Sequence, residues 1–317
     1  MQWGTTLTCN NKLIDVPGIA VGHKSLGDTG CTVIVAPDSA IAAVDVRGGG
    51  PGTRETDLLA PHNTVQRVHA ITLTGGSAYG LAAADGVMTR LEEDRIGFRV
   101  LDTDESPIVP IVPAAVIFDL LVGDPTRRPT RDDGYAAAHA ALTGEPDTRS
   151  GSVGAGCGAT AGRLRGGFGQ ASMQVGEWIM AAGIVANPLG DVMNPDTGEF
   201  WADPRRKVAV DKLPAATPKL NTTIGVITTN APITKAQAKR LAMVAHDGIA
   251  RAIHPAHSPL DGDTLFCLST GDGTGVDLET MLSLSTYAAE ITAAAIVDAV
   301  VAAEPGFGLN TYFELTR

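Results

Sequence analysis

Short apolar, β-branched runs come in neighbouring pairs along this chain, while Ala-rich helical stretches stand apart from them. That order constrains the fold more than any single motif. Residues 31–36 and 41–46 are two such runs, separated by Pro37-Asp38-Ser39-Ala40, which reads as a hairpin turn. Ala70-Ile71-Thr72-Leu73-Thr74 is another, passing through Gly75-Gly76 into a helix from about Ser77 to Arg90. Residues 173–186 hold the next strand or pair, and 224–229 and 264–269 read as two more. The helical stretches are 134–142, 234–252 and the nearly all-apolar 286–303. In the second, Thr234 and Gln237 form a capping box, and Leu241, Val244, Ala245, Gly248, Ile249 and Ala252 share one face. Locally paired strands with helices in separate runs predict an α+β fold of antiparallel sheets sandwiched by helices, not a doubly wound parallel sheet.

Between residues 151 and 169 small residues recur every two or three positions. Such a block cannot form a normal helix and suits strands whose backbone lies close to another layer or to a ligand. The same economy marks the whole chain of 317 residues: 44% are hydrophobic and only 4% aromatic, with 37 glycines, so the interior is built from Ala, Val, Ile and Leu in close contact. A net charge of -11 argues against nucleic acid as a partner, because phosphate binding rests on clustered Lys and Arg. Cys9, Cys31, Cys157 and Cys267 form no Cys-x-x-Cys pair and read as small buried thiols. The start, Met1 to Thr6, lacks the basic and apolar run of a signal peptide, and Glu290 and Asp298 interrupt the apolar run 287–303, so no membrane span is expected. The expectation is a cytoplasmic protein.

Residues 202–220 form a polar, proline-broken segment with Pro204, Pro214 and Pro218 among Arg205, Arg206, Lys207, Lys212 and Lys219. It reads as an exposed tether that runs straight into the strand beginning after Asn221-Thr222. A cut between those two residues leaves Thr222 with a hydroxyl and a free α-amine on one residue, a known way to activate a weak nucleophile. Without such a cut, the stretch is only a loop entering a strand.

Two glycine corners invite comparison with phosphate loops. Neither Gly75-Gly76-Ser77 nor Arg47-Gly48-Gly49-Gly50 carries the Gly-Lys-Ser/Thr ending. Ser77 also misses a Gly-x-Ser-x-Gly elbow by one residue, since the glycine stands at Gly80 and not at Tyr79; a helix N-cap is the better reading.

Six segments in order carry a wider likeness: Asp15-Val16-Pro17-Gly18 through His23, Ala43 through Arg47-Gly48-Gly49, Leu73-Thr74-Gly75-Gly76-Ser77 through Leu81, Val185 through Asn187-Pro188 to Gly190, Asn221-Thr222-Thr223-Ile224, and Asp261-Gly262-Asp263-Thr264. The set resembles peptidase family S58, the self-processing aminopeptidases and nylon-oligomer hydrolases. The resemblance implies a four-layer αββα sandwich, DmpA-like and related to the ornithine acetyltransferases. It implies one self-processing domain, cut into residues 1–221 and 222–317, working without metal or organic cofactor on small peptides or amide oligomers as a homotetramer of cleaved protomers. Thr222 would then be the nucleophile in self-cleavage and turnover, with its freed amine as base. Asn187 would donate to the oxyanion, and Asp261 and Asp263 would hydrogen-bond and orient Thr222 and its amine; the Asp-Gly-Asp turn matches the nylon-hydrolase branch, where the peptidase branch has Ser and Glu.

Two departures bear on substrate binding. Arg163 stands where the nylon-hydrolase branch has Lys, with Arg165 nearby, and a guanidinium does not readily surrender a proton. Phe118 replaces a pocket Tyr and loses its hydroxyl. The two carboxylates suggest an acidic pocket for a substrate that carries a free amine. The alternatives are an ornithine acetyltransferase-like acyl transferase and a non-catalytic binding protein on the same fold. A metal site from His246, His254 and His257 with the two aspartates lacks any His-Glu-x-x-His spacing.

Overall fold

The computed structural model describes residues 10–103, 105–215 and 220–316. Cys9, the start Met1 to Thr6, and Pro218 and Lys219 of the tether lie outside the described residues. The elements in order are β1 (Ala20–Ser25), β2 (Gly30–Val46), β3 (Thr53–Arg54), β4 (Arg67–Thr74), α1 (Ala83–Glu93), β5 (Phe98–Arg99), β6 (Ile108–Val109), β7 (Ala114–Val116), α2 (Arg131–Thr143), β8 (Thr160–Ala161), β9 (Leu164–Arg165), β10 (Gly167–Val175), β11 (Trp178–Ala186), β12 (Ile224–Thr229), α3 (Lys235–Ala252), β13 (Thr264–Ser269), α4 (Leu278–Val301) and the short α5 (Tyr312–Leu315).

The main sheet runs β10-β11-β12-β13-β2-β4-β7-β3, and β1 pairs with β2. Its pairings are antiparallel except β12 with β13 and β4 with β7. The expected hairpin at 31–46 is instead one strand of 17 residues. Both of its halves pair with β4, and Pro37-Asp38-Ser39-Ala40 is a register shift between Val35 and Ala40, with Ser39 at φ 65°. A bulge bends a strand without reversing it, and this one lets β2 serve two halves of the sheet.

Side-chain alternation then builds the layers. Cys31, Val33 and Val35 of β2 pack with Ala70 of β4 against Val87 and Leu91 of α1 and Ala137 and Ala138 of α2. Ile41 and Ala43, with Ile227, Leu265 and Cys267, pack against Leu241 and Ile249 of α3 and Leu284, Ile291 and Ile296 of α4. Ile34 and Val44, with Ile71, Phe168, Val185, Ile224, Val226 and Phe266, fill the space between the two halves. Helices, sheet half, core, sheet half, helices is the αββα order, and the fold is α+β. Burying an aliphatic side chain is worth about 1.5–3 kcal/mol, so residues of alternating direction on β2, β12 and β13 hold three layers at once.

The glycine-dense block behaves as its composition predicts at Gly169, where an added Cβ would stand 2.0 Å from the Ala295 carbonyl oxygen of α4. The capping box at Thr234 forms, with the Gln237 N–H donated to the Thr234 hydroxyl. Ser77 does not cap α1. Residues Ser77–Ala82 form a 3₁₀ turn ahead of it, and the Asp119 carboxylate and the Ile117 carbonyl take the Gly76 and Ser77 N–H groups at 2.7 and 3.0 Å. α4 is long and apolar enough to cross a membrane, and 67% of its most apolar window is buried inside the fold. Part of the expected tether is packed down: Val208 is buried and the Ala209 N–H is donated to the Leu315 carbonyl.

Candidate active site

Four chain ends converge because of the strand directions. β12 and β13 are parallel, so their entries lie side by side, and Asn221 bridges Asp261 just before them. β11 and β2 run antiparallel to these strands, so their exits, at Asn187 and at Arg47-Gly48, reach the same edge. The fold thereby brings together Asn187, Asn221, Thr222, Asp261 and Asp263, and all five are buried.

Thr222 is 4% exposed. Its hydroxyl donates to the Asn221 carbonyl oxygen and accepts the Gly262 N–H at 3.1 Å. Its N–H is donated to the Asn187 carbonyl at 2.7 Å. Neither aspartate touches Thr222 through a hydrogen bond. Asp263 accepts the Thr223 N–H at 2.7 Å on one oxygen and, on the other, the His257 N–H at 3.3 Å and ring Nδ1 at 2.7 Å. Asp261 accepts the Leu189 N–H at 3.0 Å, the Ser258 N–H at 3.2 Å and the Ser258 hydroxyl at 2.5 Å. Burial pushes the Asp261 carboxyl above its ordinary range, opposed by the Ser258 bond and reinforced by the nearby Asp263 charge. The two carboxylates therefore bind backbone around Thr222: Asp263 holds Thr223 and His257, and Asp261 holds Leu189 and Ser258.

Gly48 explains why the β2 exit ends in glycines. An added Cβ there would lie 2.3 Å from the Asp263 nitrogen and 2.4 Å from the Asp261 carbonyl oxygen. The close approach lets the Arg47 N–H reach the Asp263 carbonyl at 2.9 Å and the Gly50 N–H reach that of Asp261 at 2.8 Å.

Asn187 is fully enclosed. Its Oδ1 accepts the Thr160 N–H at 2.8 Å and the Thr160 hydroxyl at 3.3 Å, and its Nδ2 donates to the Phe118 carbonyl at 3.2 Å. One Nδ2 hydrogen remains beyond that bond, since a primary amide carries two.

A cleft of about 160 Å³ opens over this cluster, lined by Gly50, Pro51, Gly52, Ser77, Ala78, Val116, Phe118, Leu220, Asn221, Thr222 and Leu260. Phe118 stands at the site as expected. Arg163 does not line it: the guanidinium is bound to Asp191, with Nε and Nη2 at 3.1 and 2.6 Å from Oδ2. Arg165 is buried and donates to the Ser152 hydroxyl and the Gly306 and Cys157 carbonyls. Nor is the cleft acidic. Its lining is neutral, because both aspartates are turned inward and saturated by donors.

Three contributors escape a sequence reading: Thr160, Ser258 and His257 in its role here. Ser258 lies three residues before Asp261, a spacing that signals a local hydroxyl-to-carboxylate bond. His257 was suggestive only as a metal ligand, yet it binds Asp263 and packs edge-on against His246 at 4.9 Å between ring centroids. Among the described residues no group of three His, Cys, Asp or Glu is arranged to hold a metal ion.

Comparisons with known proteins give the chain's family and fold. The model of peptidase family S58 matches residues 11–312. An uncharacterized aminopeptidase of Mycobacterium tuberculosis is 44% identical over 344 residues, covering 96% of this chain and 98% of that protein. A 6-aminohexanoate-oligomer endohydrolase of Paenarthrobacter ureafaciens is 33% identical over 307 residues, covering 89% and 80%. Among solved structures, a Burkholderia sp. beta-aminopeptidase superposes with a TM-score of 0.73 at 24% identity, over 97% of this chain and 92% of that one. The l-aminopeptidase d-ala-esterase/amidase of Ochrobactrum anthropi, described as a variant of the Ntn hydrolase fold, superposes with a TM-score of 0.74 at 20% identity, over 95% and 89%. The chain belongs to peptidase family S58 and is a hydrolase of amide bonds.

Proposed function

We propose that the chain cuts itself between Asn221 and Thr222 and then hydrolyses small aminoacyl amides with the Thr222 hydroxyl as nucleophile. The observation that carries this reading is the Thr222 hydroxyl, buried against the Asn221 carbonyl and steadied by the Gly262 N–H, at the edge of the cleft. Attack on the preceding carbonyl closes a five-membered ring. The Oγ1–C bond forms, the C–N bond breaks, and the hydroxyl proton ends on the Thr222 nitrogen. Water then hydrolyses the ester, giving the Asn221 carboxylate and a free Thr222 amine and hydroxyl. That amine, with an ordinary pKa of about 7.7–8.0, serves as base in turnover and keeps the Asn187 carbonyl as its acceptor. The free Nδ2 hydrogen of Asn187 supplies the oxyanion donor, and Asp261 and Asp263 hold Leu189, Ser258, His257 and Thr223 in place around it.

The geometry favours hydrolysis over acyl transfer. A transferase needs a cationic group for its acidic acceptor, and Arg163 and Arg165 are both spent on internal partners. The small neutral cleft suits a short acyl group, with the cleaved protomers assembled as a cytoplasmic homotetramer. Purified protein incubated at neutral pH should yield fragments 1–221 and 222–317, and Thr222→Ala should stay whole. The cleaved protein should release amines from amino-acid amides, β-amino-acid amides or aminohexanoate oligomers. An intact wild-type chain would sink the mechanism. Acetyl transfer from acetylornithine to glutamate without amide hydrolysis would establish the transferase instead.

A further inference from the structure

Asn221 is the acyl side of the bond that Thr222 attacks first, and its side chain lies in a nest of a single character. The Asn221 carboxamide Nδ2 donates to the Thr160 carbonyl at 3.3 Å, to the Thr160 hydroxyl at 3.3 Å and to Asn187 Oδ1 at 3.4 Å. The Thr160 carbonyl and Asn187 Oδ1 can only accept, and the Thr160 hydroxyl accepts here as well. The Thr160 hydroxyl has spent its hydrogen on Asn187 Oδ1, and that oxygen is held in place by the Thr160 N–H at 2.8 Å. The Asn221 Oδ1 is buried without a donor, so nothing here recognises an oxygen. Beside the nest, the Asn221 N–H is donated to the Leu260 carbonyl at 3.3 Å.

One nucleophile that first attacks Asn221 and later a substrate must meet both carbonyl carbons in one place. We infer that the Asn221 nest is the acyl subsite of the mature enzyme, and that it selects aminoacyl groups of the L-asparagine type. The inference rests on Thr222 being the shared nucleophile. The substrate's α-amine takes the place of the Asn221 nitrogen on the Leu260 carbonyl. Its side-chain N–H takes the place of Asn221 Nδ2 on Thr160 and Asn187. The departing chain end, Leu220-Asn221, lines the cleft and must vacate it for an acyl group to enter. A carboxylate of the same shape would set an oxygen against the Thr160 carbonyl and Asn187 Oδ1, and an aliphatic group would deprive the Thr160 carbonyl and hydroxyl oxygens of the donor they have in Asn221.

Asparagine, aspartate and leucine are close to isosteric, which makes them a direct probe. The test is kcat/KM of the cleaved enzyme for the p-nitroanilides of L-Asn, L-Leu, L-Asp and L-Ala. The expected order places Asn about 100-fold or more above Leu, with Asp lowest, since a site built for donors rejects analogues that lack them by large factors. In Thr160→Val, which removes one acceptor, the Asn-to-Leu ratio should shrink by about tenfold while the Ala rate changes less. As a check that does not depend on that variant folding, the dipeptide Leu-Asn should inhibit the wild-type enzyme competitively and Leu-Asp should not. A cleaved enzyme that turns over Ala or Leu anilide as well as Asn would overturn the subsite and leave the hydrolase reading intact. Failure of cleavage at Asn221–Thr222, or no turnover of any anilide or amide by cleaved protein, would overturn both.

Discussion

Replacing Asp263 by Asn tests whether the buried turn holds the surroundings of Thr222. Asp263 is 2% exposed and accepts three hydrogen bonds. The amide keeps an oxygen for the Thr223 N–H but turns its NH2 toward the His257 N–H at 3.3 Å and the His257 ring at 2.7 Å. A hydrogen bond to a charged group is worth about 1.5–3 kcal/mol. The imidazole can change tautomer and accept at Nδ1, so one of the two bonds is recovered without its charge. Relief of the Asp261–Asp263 repulsion returns a fraction more. The net loss is about 2–3 kcal/mol, more than a surface turn would show. Burial already pushes the Asp261 carboxyl toward its neutral form, so Asp261→Asn gives up less charge stabilisation and the loss should be smaller. Measured as thermal unfolding in the uncleaved Thr222→Ala background, Asp263→Asn should lower Tm by about 5 °C, given about 2–4 °C per kcal/mol for somewhat smaller proteins. In the Thr222 protein, cleavage should slow by about tenfold or more. A Tm within about 1 °C of the parent, or a larger loss in Asp261→Asn, would refute this reasoning.

Acid should destabilise the fold between pH 6.5 and about 4, because burial lowers His23, His69 and His246 each to about 4, and the unfolded chain binds their protons first. Burial raises Asp119 to about 6 and raises Asp261, and these work the other way, adding stability at low pH that is lost as pH rises. Urea midpoints from pH 4 to 6.5 should therefore rise with pH, and Asp119→Asn should steepen the rise by about one proton; a flat profile would contradict the burial of the three histidines. Gly48→Ala should block cleavage, since its methyl meets backbone on both sides of Gly262, and N-terminal sequencing that still finds Thr222 at a free end would show that the turn can yield.

Alternation carried the strand reading well where a strand has one clear side per layer. Ile224–Thr229 and Thr264–Ser269 lie where their apolar pattern puts them. Residues 31–46 misled, since Pro-Asp-Ser marks a turn and a bulge alike; the difference lies in β4, whose pairing with both halves no local signal reveals. The likeness to the family pointed to Thr222, Asn187, Asp261 and Asp263, and the parallel entry of β12 and β13 explains why residues forty apart meet. Arg163 looked available because its partner, Asp191, is 28 positions away. The aspartates looked like an acidic pocket because a sequence shows charges but not which way they face.

The position of β12 and β13 has a consequence for what a severed chain can do. They are the only main-sheet strands in 222–317 among the described residues, and they lie in the middle of the sheet, with β11 on one flank and β2 on the other. The smaller fragment is thus a wedge within the larger one, and each would expose core if withdrawn. If the chain is cut at Asn221–Thr222, folding must finish first, while one chain still brings both parts together. Afterwards reassembly is a two-body event whose yield depends on concentration. The mature enzyme would then persist through the slowness of its dissociation, and its lifetime would be set by a barrier and no longer by a folding equilibrium.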